Sequence, residues 1–206
     1  MQTRPFGVIA IVGAGFMGAQ ISLQCAVHDY DVWLVDTQDA ALQRARESQT
    51  RELDTRLAKG QIAGDGKESI LGRIRYTVDL RAGVSQADLV IESVPERLAA
   101  KRAVFAQLDA LCPSRAILAT GSSSIRISAI EDATGRADRV LNLHFYQPVW
   151  QRPMAELMRG TATSDATIER VRDFVQSIGL APLIVLKEST GFLFNRVWRA
   201  IKKECL

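Results

Sequence analysis

Apolar residues fall in short, unbroken runs along this chain, and polar stretches with helical spacing separate them. Val8–Val12, Val32–Val35, Leu89–Glu92, Ala116–Thr120 and Val140–Leu143 read as strands covered on both faces, and Ile74–Thr77 and Pro182–Leu186 as two more. Helices are expected over Phe16–His28, with an apolar stripe at Met17, Ile21 and Cys25, and over Arg97–Leu111. A further helix is expected from the Gly121–Ser124 turn to about Ala133, and another over Asp165–Ile178 behind a Ser164 cap. A last one runs from Thr190 to the terminus, with Phe192, Phe194, Val197, Trp198 and Ile201 on or near an apolar face. Thr37–Lys59 is long, polar and helical; Gly60, Gly64 and Gly66 break it before a short helix at Glu68–Gly72. Strands alternating with helices predict an α/β fold, a doubly wound, mainly parallel sheet with this helical hairpin inserted after the second strand.

The first strand ends in a glycine turn, GAGFMG, at Gly13, Gly15 and Gly18. Gly13 suits a tight turn, Gly15 a close backbone approach to a pyrophosphate, and Gly18 the packing of helix on strand. Free amides at the helix start would face the phosphates, with Phe16 and Met17 beside them. The second strand ends in Asp36, about 20 residues on, where a carboxylate accepts from a ribose 2′-hydroxyl. That carboxylate would repel a 2′-phosphate, so NAD is expected rather than NADP. Val94, on the loop after the Leu89–Glu92 strand, should border the same crevice.

Composition narrows the class further. A net charge of +3 gives no argument for nucleic acid, and no apolar run is long enough to span a bilayer. Three scattered cysteines fit neither a disulfide framework nor a zinc site, and no metal is expected. With no apolar signal segment in MQTRPFG, a soluble, cytoplasmic protein is the expectation.

A nicotinamide enzyme that oxidises an alcohol needs a group to take the hydroxyl proton. Histidine suits that task near neutral pH. Of the two histidines, His28 falls at a helix end pointing away from the crevice, whereas His144 lies where a strand opens into it. Glu156 can orient His144 if the chain folds back after Pro148 and Pro153. Ser123 and the Asn195 amide are placed to hydrogen-bond the reacting oxygen. Singly, the four read equally as a core histidine, a surface acid, a turn serine and a helix-start amide; their convergence on one crevice argues for chemistry. Arg56 and Lys59, on the inserted hairpin, either face water or reach phosphates of a substrate.

The ordered set GAGFMG, Asp36, VPERLAAKRAVF, ILATGSSS, LHFYQPV, MAELM and TGFLFNR resembles the L-3-hydroxyacyl-CoA dehydrogenases across essentially the whole chain. The resemblance implies a Rossmann-type domain over 1–188 whose helical insertion binds CoA, and, over 189–206, the first helix of a helical domain that continues in the family and makes a homodimer. It implies NAD held by the glycine turn and Asp36, with Glu96 and Lys101 near the ribose and nicotinamide. His144 would be the general base, Glu156 its partner, and Ser123 and Asn195 the holders of the substrate oxygen, in fatty acid metabolism. Departures cluster near the acyl end. Gly121 stands where the family has Asn, Gln147 where it has Asn, and Arg152-Pro153 where it has Met-Lys; Trp150 is added. They leave three substrate readings: a 3-hydroxyacyl-CoA, a small free hydroxy acid or a carrier-bound acyl group. A non-catalytic dinucleotide-binding module is a further alternative.

Overall fold

The computed structural model describes residues 4–63 and 66–205; Gly64, an expected helix break, lies outside them. Strands β1 (Val8–Val12), β2 (Asp31–Val35), β3 (Ile74–Thr77), β4 (Leu89–Glu92), β5 (Ile117–Thr120) and β6 (Val140–Phe145) run parallel. β7 (Met154–Arg159) turns back against β6, and β8 (Ala181–Val185) lies parallel to β7. The sheet order is β3-β2-β1-β4-β5-β6-β7-β8, so the sheet grows outward on one side of β1 through β2 and β3, and the chain then crosses back to build the other side from β4. The crevice where the two sides part, at the carboxyl ends of β1 and β4, is where ligands bind in such sheets.

The helices are α1 (Phe16–Val27), α2 (Asp39–Ala58), α3 (Gly66–Gly72), α4 (Leu80–Val84), α5 (Leu98–Leu111), α6 (Asp165–Ser177) and α7 (Phe194–Glu204). The continuous apolar strands serve two layers at once. Ile9 and Ile11 join the core under α1, α2 and α6, while Ala10 and Val12 join the one under α4 and α5. Val90 and Ile91 of β4 divide the same way. The edge strands are more polar and half-exposed, and β8 carries Pro182, tolerable at an edge because no ladder donor is needed there. The insertion expected after β2 is present: α2 and α3 pack on each other and on α1.

Three local expectations are corrected. The stretch to Ala133 is no α-helix but short 3-10 turns at Ile127–Ala129 and Glu131–Ala133, followed by Ala137–Arg139. Side chains take over its backbone: Glu188 accepts from the Ser128 amide at 2.8 Å, and Arg102 donates to the Ala129 carbonyl at 2.8 Å. Helix α4 was missed, being one turn long; Asp79 caps it by accepting from the Ala82 amide. Phe192 does not lie on the exposed face of the last helix. It precedes α7 at φ 51° and is 1% exposed, whereas Phe194, Val197, Trp198 and Ile201 are on the exposed side.

Candidate active site

The glycine turn is built for close approach. Gly13 has φ 110°, and a Cβ there would meet the Ser93 carbonyl oxygen at 2.5 Å. A Cβ on Gly18 would sit 1.8 Å from the Gly13 carbonyl oxygen, so α1 packs directly on the turn. Gly15 differs: a Cβ there would meet nothing within 4 Å, which leaves that face open. The start of α1 has no side-chain cap and no acid in its first turn, so its amides remain available to an anion. Asp36 accepts from the Ala14 amide at 2.8 Å and the Gln38 amide at 3.0 Å, and each oxygen keeps a lone pair for a hydroxyl.

Two clefts meet across this turn. One, of about 1080 Å³, runs from Asp36 past Gly13 and Gly15 to Ser93 and Val94. The other, of about 540 Å³, shares Gly15, Phe16, Ser93 and Val94, adds Met17, and continues to Glu96, Ser123, His144 and Asn195. Together they fit a dinucleotide laid over the turn, its acid-binding end at Asp36 and its other end beside His144.

β6 and β7 create the second half of the site. Their antiparallel register sets His144 directly opposite Glu156. β6 runs two residues further than expected, so His144 is a strand residue, 7% exposed, facing the cleft rather than a loop residue. Its Nδ1 is 2.9 Å from Glu156 Oε2. Burial works to raise the Glu156 pKa, but His144, the nearby Tyr146 hydroxyl and the amides of Phe194 and Leu193 outweigh it and hold the carboxyl below its ordinary range. An ionised carboxylate only accepts, so Nδ1 carries the proton and Nε2 is left as an acceptor. Glu156 Oε1 takes the Leu193 and Phe194 amides, each at 2.8 Å. Phe192 and Tyr146 flank the imidazole, with ring centroids 5.1 Å and 4.8 Å away. Tyr146 was not singled out from the sequence, and Phe192 was read only as part of an apolar helix face. The FYQP and GFLF strings carry no spacing that separates a ring beside a buried imidazole from an ordinary core residue.

The acidic cluster on the other wall is tighter than expected. Lys101 is 1% exposed and donates to both oxygens of the fully buried Glu92, at 2.8 and 3.0 Å, with Glu96 Oε2 at 3.3 Å. Glu92 went unnoticed in the sequence because it reads as the polar end of a strand.

The model of the 3-hydroxyacyl-CoA dehydrogenase NAD-binding domain matches residues 8–189. The chain belongs to this family. It is 35% identical over 204 residues to the 3-hydroxyadipyl-CoA dehydrogenase of Escherichia coli K12, covering 95% of this chain and 42% of that one. It is also 35% identical to the 5-formyl-3-hydroxy-2-methylpyridine 4-carboxylate 5-dehydrogenase of Mesorhizobium japonicum, covering 96% and 63%. The chain therefore spans less than two thirds of these relatives' lengths. The crystal structure of (S)-3-hydroxybutyryl-CoA dehydrogenase from Ralstonia eutropha superposes with a TM-score of 0.93 at 34% identity, over 97% of this chain and 70% of that one. NAD is the cofactor of the matching domain family, in agreement with the open turn and Asp36.

Within this 3-hydroxyacyl-CoA dehydrogenase domain, two expected residues lie away from the cleft. Arg56 stacks over Trp150 at 4.9 Å and bonds Glu52 at 2.9 Å. Lys59 is exposed at the end of α2. Neither lines the cleft that holds His144. His28 is bonded to the Gln24 carbonyl and packed at Gly179, and it lines neither cleft. Among the described residues no cluster of potential ligands could hold a metal, and no helix is long and apolar enough to cross a membrane.

Proposed function

We propose that this chain carries the cofactor site and the acid–base site of an NAD-dependent dehydrogenase that interconverts a 3-hydroxyacyl thioester and its 3-oxoacyl form. The observation that carries this reading is the His144–Glu156 pair, buried and bonded through Nδ1, on the cleft that begins at the glycine turn. Gly13, Gly15, the first amides of α1 and Asp36 would hold NAD, with Val94, Glu96 and Lys101 bordering it. When bound, that cofactor supplies the acceptor for the hydride leaving the alcohol carbon.

The protein's part is proton transfer and positioning. His144 Nε2 accepts the proton of the 3-hydroxyl as the carbonyl forms, and returns it in the reverse direction. Glu156 fixes the tautomer and balances the imidazolium charge that develops. The Ser123 hydroxyl and the Asn195 amide, both on the cleft wall, donate to the substrate oxygen and hold it toward Nε2. Tyr146, Phe192 and Phe194 cover the pair and keep bulk water from it.

The deciding experiment is NADH oxidation with acetoacetyl-CoA beside an NADH-binding titration, on wild type and His144→Ala. The reading expects turnover to fall about 10²–10⁴-fold with binding intact. NADH binding without turnover of any 3-oxoacyl substrate would overturn it. A second reading, a small carboxylated alcohol or aldehyde as substrate, is favoured by the placement of Arg56 and Lys59 off the cleft and by the pyridine-carboxylate relative. It expects Lys59→Ala to leave KM unchanged, whereas recognition of a CoA phosphate by Lys59 expects KM to rise.

A further inference from the structure

Three serines follow β5 in sequence, and the structure treats them differently. Ser122 Oγ bonds Glu96 Oε1 at 2.5 Å, and Ser124 Oγ bonds the same oxygen at 2.7 Å. The amides of Ser123 and Ser124 reach that oxygen at 3.2 and 3.0 Å, and Ser122 Oγ also accepts from the Ile125 amide at 2.8 Å. From behind, Asn142 Nδ2 holds the Ser122 carbonyl at 2.9 Å, and Thr120 Oγ1 accepts its amide at 3.2 Å. Only the Ser123 hydroxyl has no protein partner among the described residues, and Ser123 is the serine that lines the cleft with His144.

The hub of this loop is one carboxylate. Glu96 gathers residues 122–125 with Oε1 and is tied to Lys101 with Oε2, and Lys101 is in turn locked on buried Glu92. Burial acts to raise the Glu96 pKa, yet the hydroxyls of Ser122 and Ser124 and the Lys101 ammonium bring it down to about 2. The carboxylate is therefore charged across the working pH range, as a hub that only accepts hydrogen bonds must be.

We propose that Glu96 is a positioning residue that acts through Ser123: its carboxylate shapes the 122–125 loop so that the middle hydroxyl alone faces the reacting oxygen. This rests on the dehydrogenase reading above and differs from a direct contact between Glu96 and the cofactor. The charge on Glu96 matters as well as its shape. In Glu96→Gln, keeping the acceptor toward the serines turns the new amide nitrogen toward the Lys101 ammonium, donor against donor.

The test is a double-mutant cycle on the full chain, measuring kcat and the NADH dissociation constant for Glu96→Ala, Ser123→Ala and the pair. A misplaced hydroxyl costs about 10–100-fold in kcat. Glu96→Ala is expected to show that loss with NADH affinity changed by less than about twofold, and to cost under about threefold in the Ser123→Ala background. Losses that multiply overturn the proposal, and weaker NADH binding with unchanged kcat overturns it in favour of a cofactor contact. Ser124→Ala, which removes one bond and exposes no charge, should move kcat the same way by less, so a poorly folded Glu96→Ala does not end the test. Amide exchange at residues 122–125 supplies a readout independent of turnover. Exchange at these amides faster by about tenfold in Glu96→Ala, beyond what the change in global stability gives amides elsewhere in the fold, is expected. Unchanged exchange overturns the clamp, even if wild type reduces no 3-oxoacyl thioester and the parent reading falls.

Discussion

Lys101 offers the sharpest test of how this site is held together. Its ammonium neutralises Glu92, which is wholly buried and among the described residues keeps only the Val94 amide at 2.6 Å and the Thr120 hydroxyl at 2.7 Å besides. Lys101→Met fills nearly the same space and leaves that carboxylate charged and unpaired. Breaking a buried pair from one side costs about 3–5 kcal/mol. The two remaining donors put the expectation at the lower end, near 3 kcal/mol. With a urea m-value of about 2 kcal/mol/M, the unfolding midpoint should fall by about 1.5 M. Adding Glu92→Gln removes the stranded charge; its single oxygen keeps accepting from the Val94 amide while its new amide nitrogen donates to the Thr120 hydroxyl, so the double variant should recover at least half of the loss. Urea titrations of the three proteins decide the matter. A Lys101→Met protein within about 0.5 kcal/mol of wild type, or a double variant no better than the single, would refute the electrostatic argument.

Three further outcomes follow from the same geometry. In Glu156→Gln the two amides of Leu193 and Phe194 keep the side-chain oxygen, so the new nitrogen faces His144 Nδ1 and drives the proton to Nε2; turnover should drop about 10³–10⁴-fold with NADH affinity kept, and a drop under tenfold would count against the tautomer argument. Glu96 has its pKa lowered to about 2, so its stabilisation is present above the ordinary carboxylate range and is lost as pH falls toward 2. The stability gap between wild type and Glu96→Gln, about 1–2 kcal/mol once screening at this partly exposed group is allowed for, should therefore close between about pH 5 and pH 2 in urea titrations. Gly18→Ala places a methyl 1.8 Å from the Gly13 carbonyl oxygen, and should cost about 1–3 kcal/mol in thermal unfolding and weaken NADH binding at least tenfold; neither change appearing would mean α1 can shift freely off the turn.

Much of the fold was legible because parallel strands buried on both faces announce themselves as unbroken apolar runs, and Gly13, Gly15, Gly18 and Asp36 mark the strand–turn–helix unit. What stayed hidden depended on partners distant in sequence. Nothing local says that Glu92 is buried, because its cation comes from the next helix. Glu156 sits in an apolar run that became a strand only by pairing with β6, and that pairing sets it opposite His144. Phe192 was misplaced because its apolar neighbours fit a helix period, whereas its left-handed backbone ends the turn before α7 and tucks the ring against His144. The failed helix after Ser124 shows the opposite effect: acceptable local propensity was overridden by Glu188, Arg102 and Glu96, each claiming backbone groups that a helix would use.

Glu156 ties His144 to the start of α7, one oxygen on the imidazole and the other on two consecutive amides. One carboxylate thus takes part in both the protonation of the imidazole and the docking of α7. Thermodynamic reciprocity then applies: whatever free energy the seating of α7 contributes to proton affinity at His144, protonation must return to the seating of α7. Titrating the histidine while following exchange of the Leu193 and Phe194 amides should give the same coupling from both ends. The attachment of the segment after β8 and the protonation of His144 are in this sense two readouts of one coupling.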